Sequence, residues 1–268
     1  MFNYLNLKLK TKIIKPYIIH FQTIDSTNTY LLNNNHLENG TVVLADYQTS
    51  GRGRRGRKWE SNPEESLLFS ILLLKHPVNI NLMGFTFASA VGVAKGLIKV
   101  LKNQKISLKW PNDVLLNDKK VCGILVESRT TGNNLNKVVI GIGININQPR
   151  NFFTGNRRFG TSILIETEKI HERIIILKGV LKELDRQLRS LFNSGLKYTI
   201  DEWKKYCDHL GKTISINDGH KSLTGILENI ENDGAIVLKF NNGEKKRFIS
   251  GDVTIHKESI YATGNRYW

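Results

Sequence analysis

The stretch GRGRRGRKW, Gly51 to Trp59, is the most chemically loaded part of the sequence. Five of the seven residues from Arg52 to Lys58 are cationic, and Gly51, Gly53 and Gly56 are interleaved with them. Glycines let a backbone approach a ligand closely, and arginines offer planar, bidentate donors to phosphate or carboxylate. Such a loop is expected to be mobile when empty, because like charges repel, and to order around an anion. The glycines stand at G-x-G-x-x-G spacing, but a dinucleotide fingerprint needs a strand before them and a helix after them. TVVLADYQ (41–48) supplies the strand, whereas the residues after Gly56 hold a proline and then a strand-like run, so that reading is set aside. A second decoy, GKT at 211–213, fails as a phosphate loop because Tyr206 stands where its first glycine belongs.

Three further stretches carry groups able to do chemistry. In IDSTNTYLL (24–32), Asp25, Ser26 and Thr27 suit the cap of a helix, while Ser26, Thr27 and Asn28 could equally turn short polar groups toward a small ligand. In LKWPNDVLLNDKKVCGILVES (108–128), Lys109 and Lys120 flank a turn containing Asn112 and Asp113. An apolar strand beginning at Lys120 directs that ammonium into or beside the core, where it needs an anionic partner. In GIGININ (141–147), glycines 141 and 143 mark a close approach to a strand, and Asn145 and Asn147 are expected on one face.

The elements that must position these groups are legible from period and punctuation. Strands are expected at 41–48, 66–74, 106–110, 119–128 and 137–147, on apolar, β-branched and aromatic content. Residues 81–102 read as a buried helix whose small residues imply close packing. Ile170, Ile174, Leu177, Leu181, Leu184, Leu188 and Leu191 step by four or three, which predicts a long amphipathic helix, with a second over 198–209. From Gly211 the texture changes to short alternating runs separated by Asp-Gly (218–219), Asn-Asp-Gly (232–234) and Asn-Asn-Gly (241–243). Those pairs favour tight hairpins and, over so short a span, a small open barrel. The expectation is an α+β catalytic domain over 1–208 and a small β module over 209–268, with no internal repeat.

Composition bounds the function. The 268 residues are 40% apolar with only 5 prolines, enough for a substantial core. The net charge of +15, from 39 Lys and Arg against 24 Asp and Glu, favours a polyanionic or nucleotide partner without choosing between them. Two cysteines, Cys122 and Cys207, do not make a disulfide framework, and the N-terminal residues mix charges through their apolar positions, unlike a signal peptide. The longest apolar run, Leu67 to Leu74, falls short of the roughly 20 residues that span a bilayer. A cytoplasmic location and no membrane partner are expected.

DSTN, then YQTSGRGRRGRKW, then KWPNDVLLNDKKVCGILVE, then GIGININ, in this order and at these separations, resembles the biotin protein ligases, also called biotin-[acetyl-CoA-carboxylase] ligases. The resemblance covers about residues 20–255. It implies a class II synthetase-like mixed sheet with helices on one side, joined to an SH3-like β-barrel. It further implies that biotin and MgATP form biotinyl-5′-AMP, whose acyl group passes to a lysine of a biotin carboxyl carrier protein domain. By motif position, Ser26, Thr27, Asn28, Gln48, Arg52, Gly53, Arg54 and Lys120 would contact biotin or its adenylate. Trp59, Asn145 and Arg150 would lie near the adenine, and Lys109 near the triphosphate. Arg54, Lys120 and Asp113 would carry the catalysis: the first two oppose accumulating negative charge, and Asp113 orients or accepts the proton of the acceptor lysine. The loop at 51–59 would close over the adenylate and exclude water. Magnesium ligands are not legible, Arg55, Arg57 and Lys58 have no assigned role, and a homodimer is left open. Only about 20 residues precede FQTIDSTN, too few for a helix-turn-helix, so operator DNA is not expected as a partner. Two other readings stand beside this one: a lipoate or octanoate ligase of the same fold, and a basic nucleic-acid-binding protein in which Trp59 stacks on a base.

Overall fold

Eight strands of the computed structural model, which describes residues 2–256 apart from 79, 132, 133, 218 and 220, form one mixed sheet. In chain order the elements are β1 (Phe2–Asn6), β2 (Tyr17–Ile24), α1 (Thr27–Asn33), β3 (Val42–Gln48), β4 (Ser66–Leu73), α2 (Leu82–Val100), β5 (Ile106–Lys109), β6 (Asp113–Leu116), β7 (Lys119–Thr131), β8 (Asn134–Asn145), α3 (Ile163–Thr167) and α4 (Arg173–Lys204). The strand order is β1-β2-β3-β4-β8-β7-β6-β5, and every neighbouring pair is antiparallel except β2 and β3. Parallel neighbours need a crossover, and α1 is that crossover.

Side-chain alternation divides the core between the two faces of the sheet. Ile18, Val42, Phe69, Ile71 and Ile140 face α2 and α4, whereas Ile19, Val43, Leu72 and Val139 pack with Leu31 of α1. The helices therefore lie on both faces, which corrects the one-sided arrangement that the resemblance implied. The physical reason is the short α1, whose buried Thr27, Asn28 and Leu31 cover part of the second face and leave the rest open.

Helix α2 forms where expected, and its small residues do pack closely. A Cβ on Gly92 would lie 2.9 Å from the Cα of Leu184, and one on Gly96 would lie 2.6 Å from that of Val180. By length and composition α2 is the one helix among the described residues that could cross a membrane, but most of it is buried in this core. Opposite it, Ile176, Leu177, Val180, Leu181, Leu184, Leu188 and Leu191 of α4 are buried, whereas Ile170 precedes the helix and is exposed. The second expected helix is continuous with α4 beyond a break at Gly195 (φ 77°) and ends at Lys204, short of His209. The buried carboxylate of Asp185 on α4 accepts from the backbone N–H groups of Lys12, Ile13 and Ile14 at 3.0, 2.7 and 3.1 Å, tying the N-terminal segment to the core.

Differences from the sequence reading concentrate in short elements. The turn expected at Pro111, Asn112 and Asp113 gives way at Asp113 to a strand, β6 (Asp113–Leu116), which follows a cis Trp110–Pro111 bond and Asn112. Strand β1 and α3, of five residues each, are too short to show a period, and the eight residues of β2 do not alternate strictly between buried and exposed.

The hairpin texture after Gly211 becomes β9 (Thr213–Asn217), β10 (Ser222–Ile230), β11 (Ile236–Lys239), β12 (Lys245–Phe248) and β13 (Asp252–Ile255), an antiparallel sheet in the order β12-β11-β10-β9-β13. Gly219, Gly234 and Gly243 at its turns all have positive φ, as tight hairpins require. Asp218 of the first turn pair, and residues 257–268 of the expected module, lie outside the described residues. The two sheets meet at Trp110, whose indole Nε1 donates to the Gly234 carbonyl at 2.9 Å.

Candidate active site

The open part of the second sheet face is floored by glycines. Gly123 on β7 is the direct register partner of Gly143 on β8, and Gly141 lies two residues back on the same face. A Cβ on Gly143 would sit 2.5 Å from Cε2 of Trp59, one on Gly123 would sit 2.8 Å from its Cζ3, and one on Gly141 would sit 2.3 Å from Oδ1 of Asn28. The close approach expected at GIGININ is thus made by the indole of Trp59 and the amide of Asn28. Trp59 lies over the floor with its Nε1 unpaired, and the cleft around it encloses about 120 Å³.

One wall is the start of α1. Ser26 caps the helix, its hydroxyl accepting from the Thr29 N–H at 3.4 Å, and Ser26, Thr27 and Asn28 also line the cleft. The capping expectation for DSTN is met by Ser26, and the same three residues border the cleft. A continuous hydrogen-bond chain fixes these groups. Thr27 donates to Oε1 of Gln48 from its N–H at 2.7 Å, and its hydroxyl lies 2.6 Å from that of Ser70. Ser70 donates to Oδ1 of Asn28 at 2.6 Å, and Asn28 donates to Oε2 of Glu127 at 2.7 Å. Arg52 ends the chain, donating to that same carboxylate oxygen at 2.8 Å.

The second wall is the arginine loop. It folds as a tight hairpin: Trp59 N–H donates to the Gly51 carbonyl at 3.0 Å, Gly53 N–H donates to that of Arg57 at 2.7 Å, and Arg52 bridges Lys58. Arg55 (φ 54°) and Gly56 (φ 71°) turn its tip. The charge repulsion expected within it is opposed by two carboxylates, Glu127 beside Arg52 and Asp252 beside Arg55 and Arg57. Arg54 turns inward and donates to Oδ1 of Asn112 at 3.1 Å. Burial pulls its guanidinium below the ordinary value, with Asp252 and Asp113 opposing that shift, and an arginine so far from neutral pH keeps its charge.

The third side is the ion pair at the start of β7. Lys120 Nζ lies 2.6 Å from Oδ1 of Asp113 and 5.7 Å from the Trp59 ring centroid. Lys109 Nζ lies 3.4 Å from the other oxygen of Asp113. The anionic partner that Lys120 needs is therefore Asp113, brought beside it by the β6–β7 hairpin. Burial alone would raise the Asp113 pKa, but the two lysines outweigh it and hold this carboxyl below the usual range. A segment without regular pairing seals the flank, where the Lys120 N–H donates to the Phe159 carbonyl at 3.2 Å and the Thr161 N–H to that of Lys120 at 2.8 Å.

Ser26, Thr27, Asn28, Gln48, Arg52, Gly53, Arg54, Trp59, Asp113 and Lys120 all line this one cleft. Lys109, Asn145 and Arg150 do not. Lys109 stands behind Asp113, Asn145 donates to the Thr161 carbonyl at 3.0 Å, and Arg150 is exposed in a short turn. Asn147 does not share a face with Asn145, because β8 ends at Asn145 and Asn147 turns to the backbone of His171. Four contributors escaped sequence reasoning: Glu127, Ser70, Gly123 and Asp252. A carboxylate in the otherwise apolar run VCGILVE was a usable signal for Glu127; the others depend on pairing that only the fold creates.

Comparison with known proteins agrees with this geometry. Residues 20–145 match the Biotin/lipoate A/B protein ligase family, and residues 209–255 match the Biotin protein ligase C terminal domain. The bifunctional ligase/repressor BirA of Bacillus subtilis is 30% identical over 250 residues, 92% of this chain and 76% of BirA. The biotin-[acetyl-CoA-carboxylase] ligase of Paracoccus denitrificans is 29% identical over 222 residues, 80% of this chain and 91% of that ligase. The structure of biotin protein ligase from Aquifex aeolicus in complex with biotin and ATP superposes with a TM-score of 0.76 at 31% identity, covering 89% of this chain and 98% of that one. The fold and cleft thus define a protein of the biotin and lipoate ligase class, and the chain belongs to the biotin protein ligases.

Proposed function

We propose that this chain is a biotin-[acetyl-CoA-carboxylase] ligase: it joins biotin to ATP as biotinyl-5′-AMP, releasing pyrophosphate, and transfers the acyl group to a lysine of a biotin carboxyl carrier domain. The observation that carries the reading is the convergence of three separate sequence motifs, DSTN, GRGRRGRKW and the Asp113–Lys120 pair, on one glycine-floored cleft.

Adenylation brings a carboxylate against an α-phosphate, so two anions must be held together by fixed cations. Lys120 is placed to bridge the carboxylate and the α-phosphate, with Arg52 and Arg54 supplying bidentate donors from above. Ser26, Thr27, Asn28 and Gln48 form a rigid polar wall suited to the ureido and carboxylate ends of biotin. Asp113 fixes Lys120 in place. Its lowered pKa makes it a weak proton acceptor at neutral pH, so of the two roles expected for it, orienting fits better than general base. Trp59 is the group that would stack on the nucleotide, and the arginine hairpin is the lid that keeps water from the acyl phosphate. Among the described residues no group of three His, Cys, Asp or Glu side chains is arranged to hold a metal ion such as Mg2+. We further place the domain division at 208/209, the partner as a carrier domain of a biotin-dependent carboxylase, and the protein in the cytoplasm.

The match to a biotin protein ligase C-terminal domain favours biotin over lipoate as the acid. Incubation with ATP, an acceptor domain, and labelled biotin or lipoate decides the point. Biotin-dependent pyrophosphate release and acceptor labelling are expected, and no release with either acid would reject the ligase reading.

A further inference from the structure

Asp252 opens β13 in the second sheet, yet its side chain lines the cleft built on the first. It pairs with Arg57 and lies 3.5 Å from Nη1 of Arg55. Its register partner across the β9–β13 ladder is Asn217, whose carbonyl accepts from that same Arg55 nitrogen at 3.3 Å. One rung of the second sheet therefore grips Arg55 at the loop tip and Arg57 just beyond it. These are two of the three cations in the loop for which the ligase chemistry has no use. The arginines that face the cleft, Arg52 and Arg54, immediately precede the gripped Arg55 and Arg57 in a seven-residue hairpin.

We propose that Asp252 is a positioning residue of the ligase reaction: its ion pairs with Arg57 and Arg55 tie the arginine hairpin to the second sheet and hold Arg52 and Arg54 over the cleft. The proposal rests on the ligase reading above. It gives the C-terminal sheet a part in retaining the adenylate through Asp252, which lines the cleft from that sheet. Exposed ion pairs contribute little singly, so the expected effect of losing both is modest, about five- to tenfold on the opening of the loop.

The test compares wild type with Asp252→Asn, Asp252→Glu and the exchanged pair Asp252→Arg/Arg57→Asp. Two quantities are read: the dissociation rate of preformed biotinyl-5′-AMP, and the rate of tryptic cleavage within residues 52–58 of the ligand-free protein. Asp252→Asn is expected to raise both about five- to tenfold at an unchanged thermal midpoint, with most of the loss recovered in Asp252→Glu and part of it in the exchanged pair. Unchanged rates in Asp252→Asn would overturn the proposal, as would an Asp252→Glu protein that opens as readily as Asp252→Asn. Should wild type form no adenylate, the ligase reading fails, and the cleavage rates alone then decide whether Asp252 ties the loop.

Discussion

The buried carboxylate of Asp113 pairs with the half-buried Lys120 at 2.6 Å on one side of the cleft, and Lys109 approaches the same carboxylate from behind at 3.4 Å. Two cations sharing one carboxylate leave Lys120 with charge to offer an incoming anion. Removing Asp113 frees the Lys120 ammonium to move, and misplacement of a reacting group by about 1 Å costs on the order of 10²-fold in rate. Asp113→Asn is therefore expected to slow pyrophosphate release by that order. The carboxyl is held below its ordinary pKa by the two lysines, so its contribution is present above the ordinary carboxylate range and is lost only as pH falls below that range. A wild-type pH–rate profile whose acid limb near pH 6 vanishes in Asp113→Asn would contradict this assignment and restore Asp113 as a general base.

Arg54 is the loop cation that faces inward, hydrogen-bonded to Asn112. A charge-assisted hydrogen bond to a buried anion contributes about 1.5–3 kcal/mol. Arg54→Gly should accordingly speed the loss of biotinyl-5′-AMP about ten- to hundredfold. A chase experiment with excess unlabelled biotin and ATP measures that rate, and an unchanged value would remove Arg54 from the site.

The Gly123–Gly143 pair is the seat of Trp59. Gly143→Ala puts a methyl 2.5 Å from the indole, so Trp59 must shift, at an overpacking cost of about 1–3 kcal/mol. Tryptophan emission should change in Gly143→Ala, and the same substitution in a Trp59→Phe background should leave emission unaltered. An equal change in both backgrounds would show that another of the four tryptophans responds.

His209 is buried where α4 leads into the second sheet, edge-on to Trp203 at 6.5 Å. Burial, aided by Lys109 and Lys212, pushes its pKa down to about 4. The unfolded chain therefore binds a proton that the folded chain refuses, and stability falls as pH drops from about 6.5 to about 4. The loss is expected to be about 2–3 kcal/mol over that window. Urea unfolding between pH 7.5 and 4.5 measures it, and His209→Gln should flatten the dependence by that amount; parallel curves for the two proteins would refute the assignment.

Much of the fold was legible because it is written in local composition and period. The runs at 41–48 and 66–74 became β3 and β4 because short, apolar, β-branched runs bounded by turn residues suit buried strands, and 81–102 became α2 because it is too long an apolar segment for a strand. The hairpins after Gly211 were marked by glycines that must take positive φ. Strand β6 was hidden because its first residue, Asp113, carries a turn signal with Pro111 and Asn112, and Ile170 because a periodic position just outside a helix looks the same as one inside it.

The sequence by itself determined which side chains could meet an anion: the arginine loop, the lysines around Asp113, and the short polar groups of DSTN. It also determined the chain's resemblance to a ligase, since motif order and spacing are properties of the chain. Only the tertiary structure decided which partner each charge has. Arg52 meets Glu127 across 75 residues of chain, and Arg57 meets Asp252 across 195. Gly123 also lies opposite Gly143, so that an indole fits where any other pair would close the cleft. Local spacing encodes the period of a strand or helix, whereas charge pairing and register are set by which strands become neighbours, and that depends on the burial of the whole core.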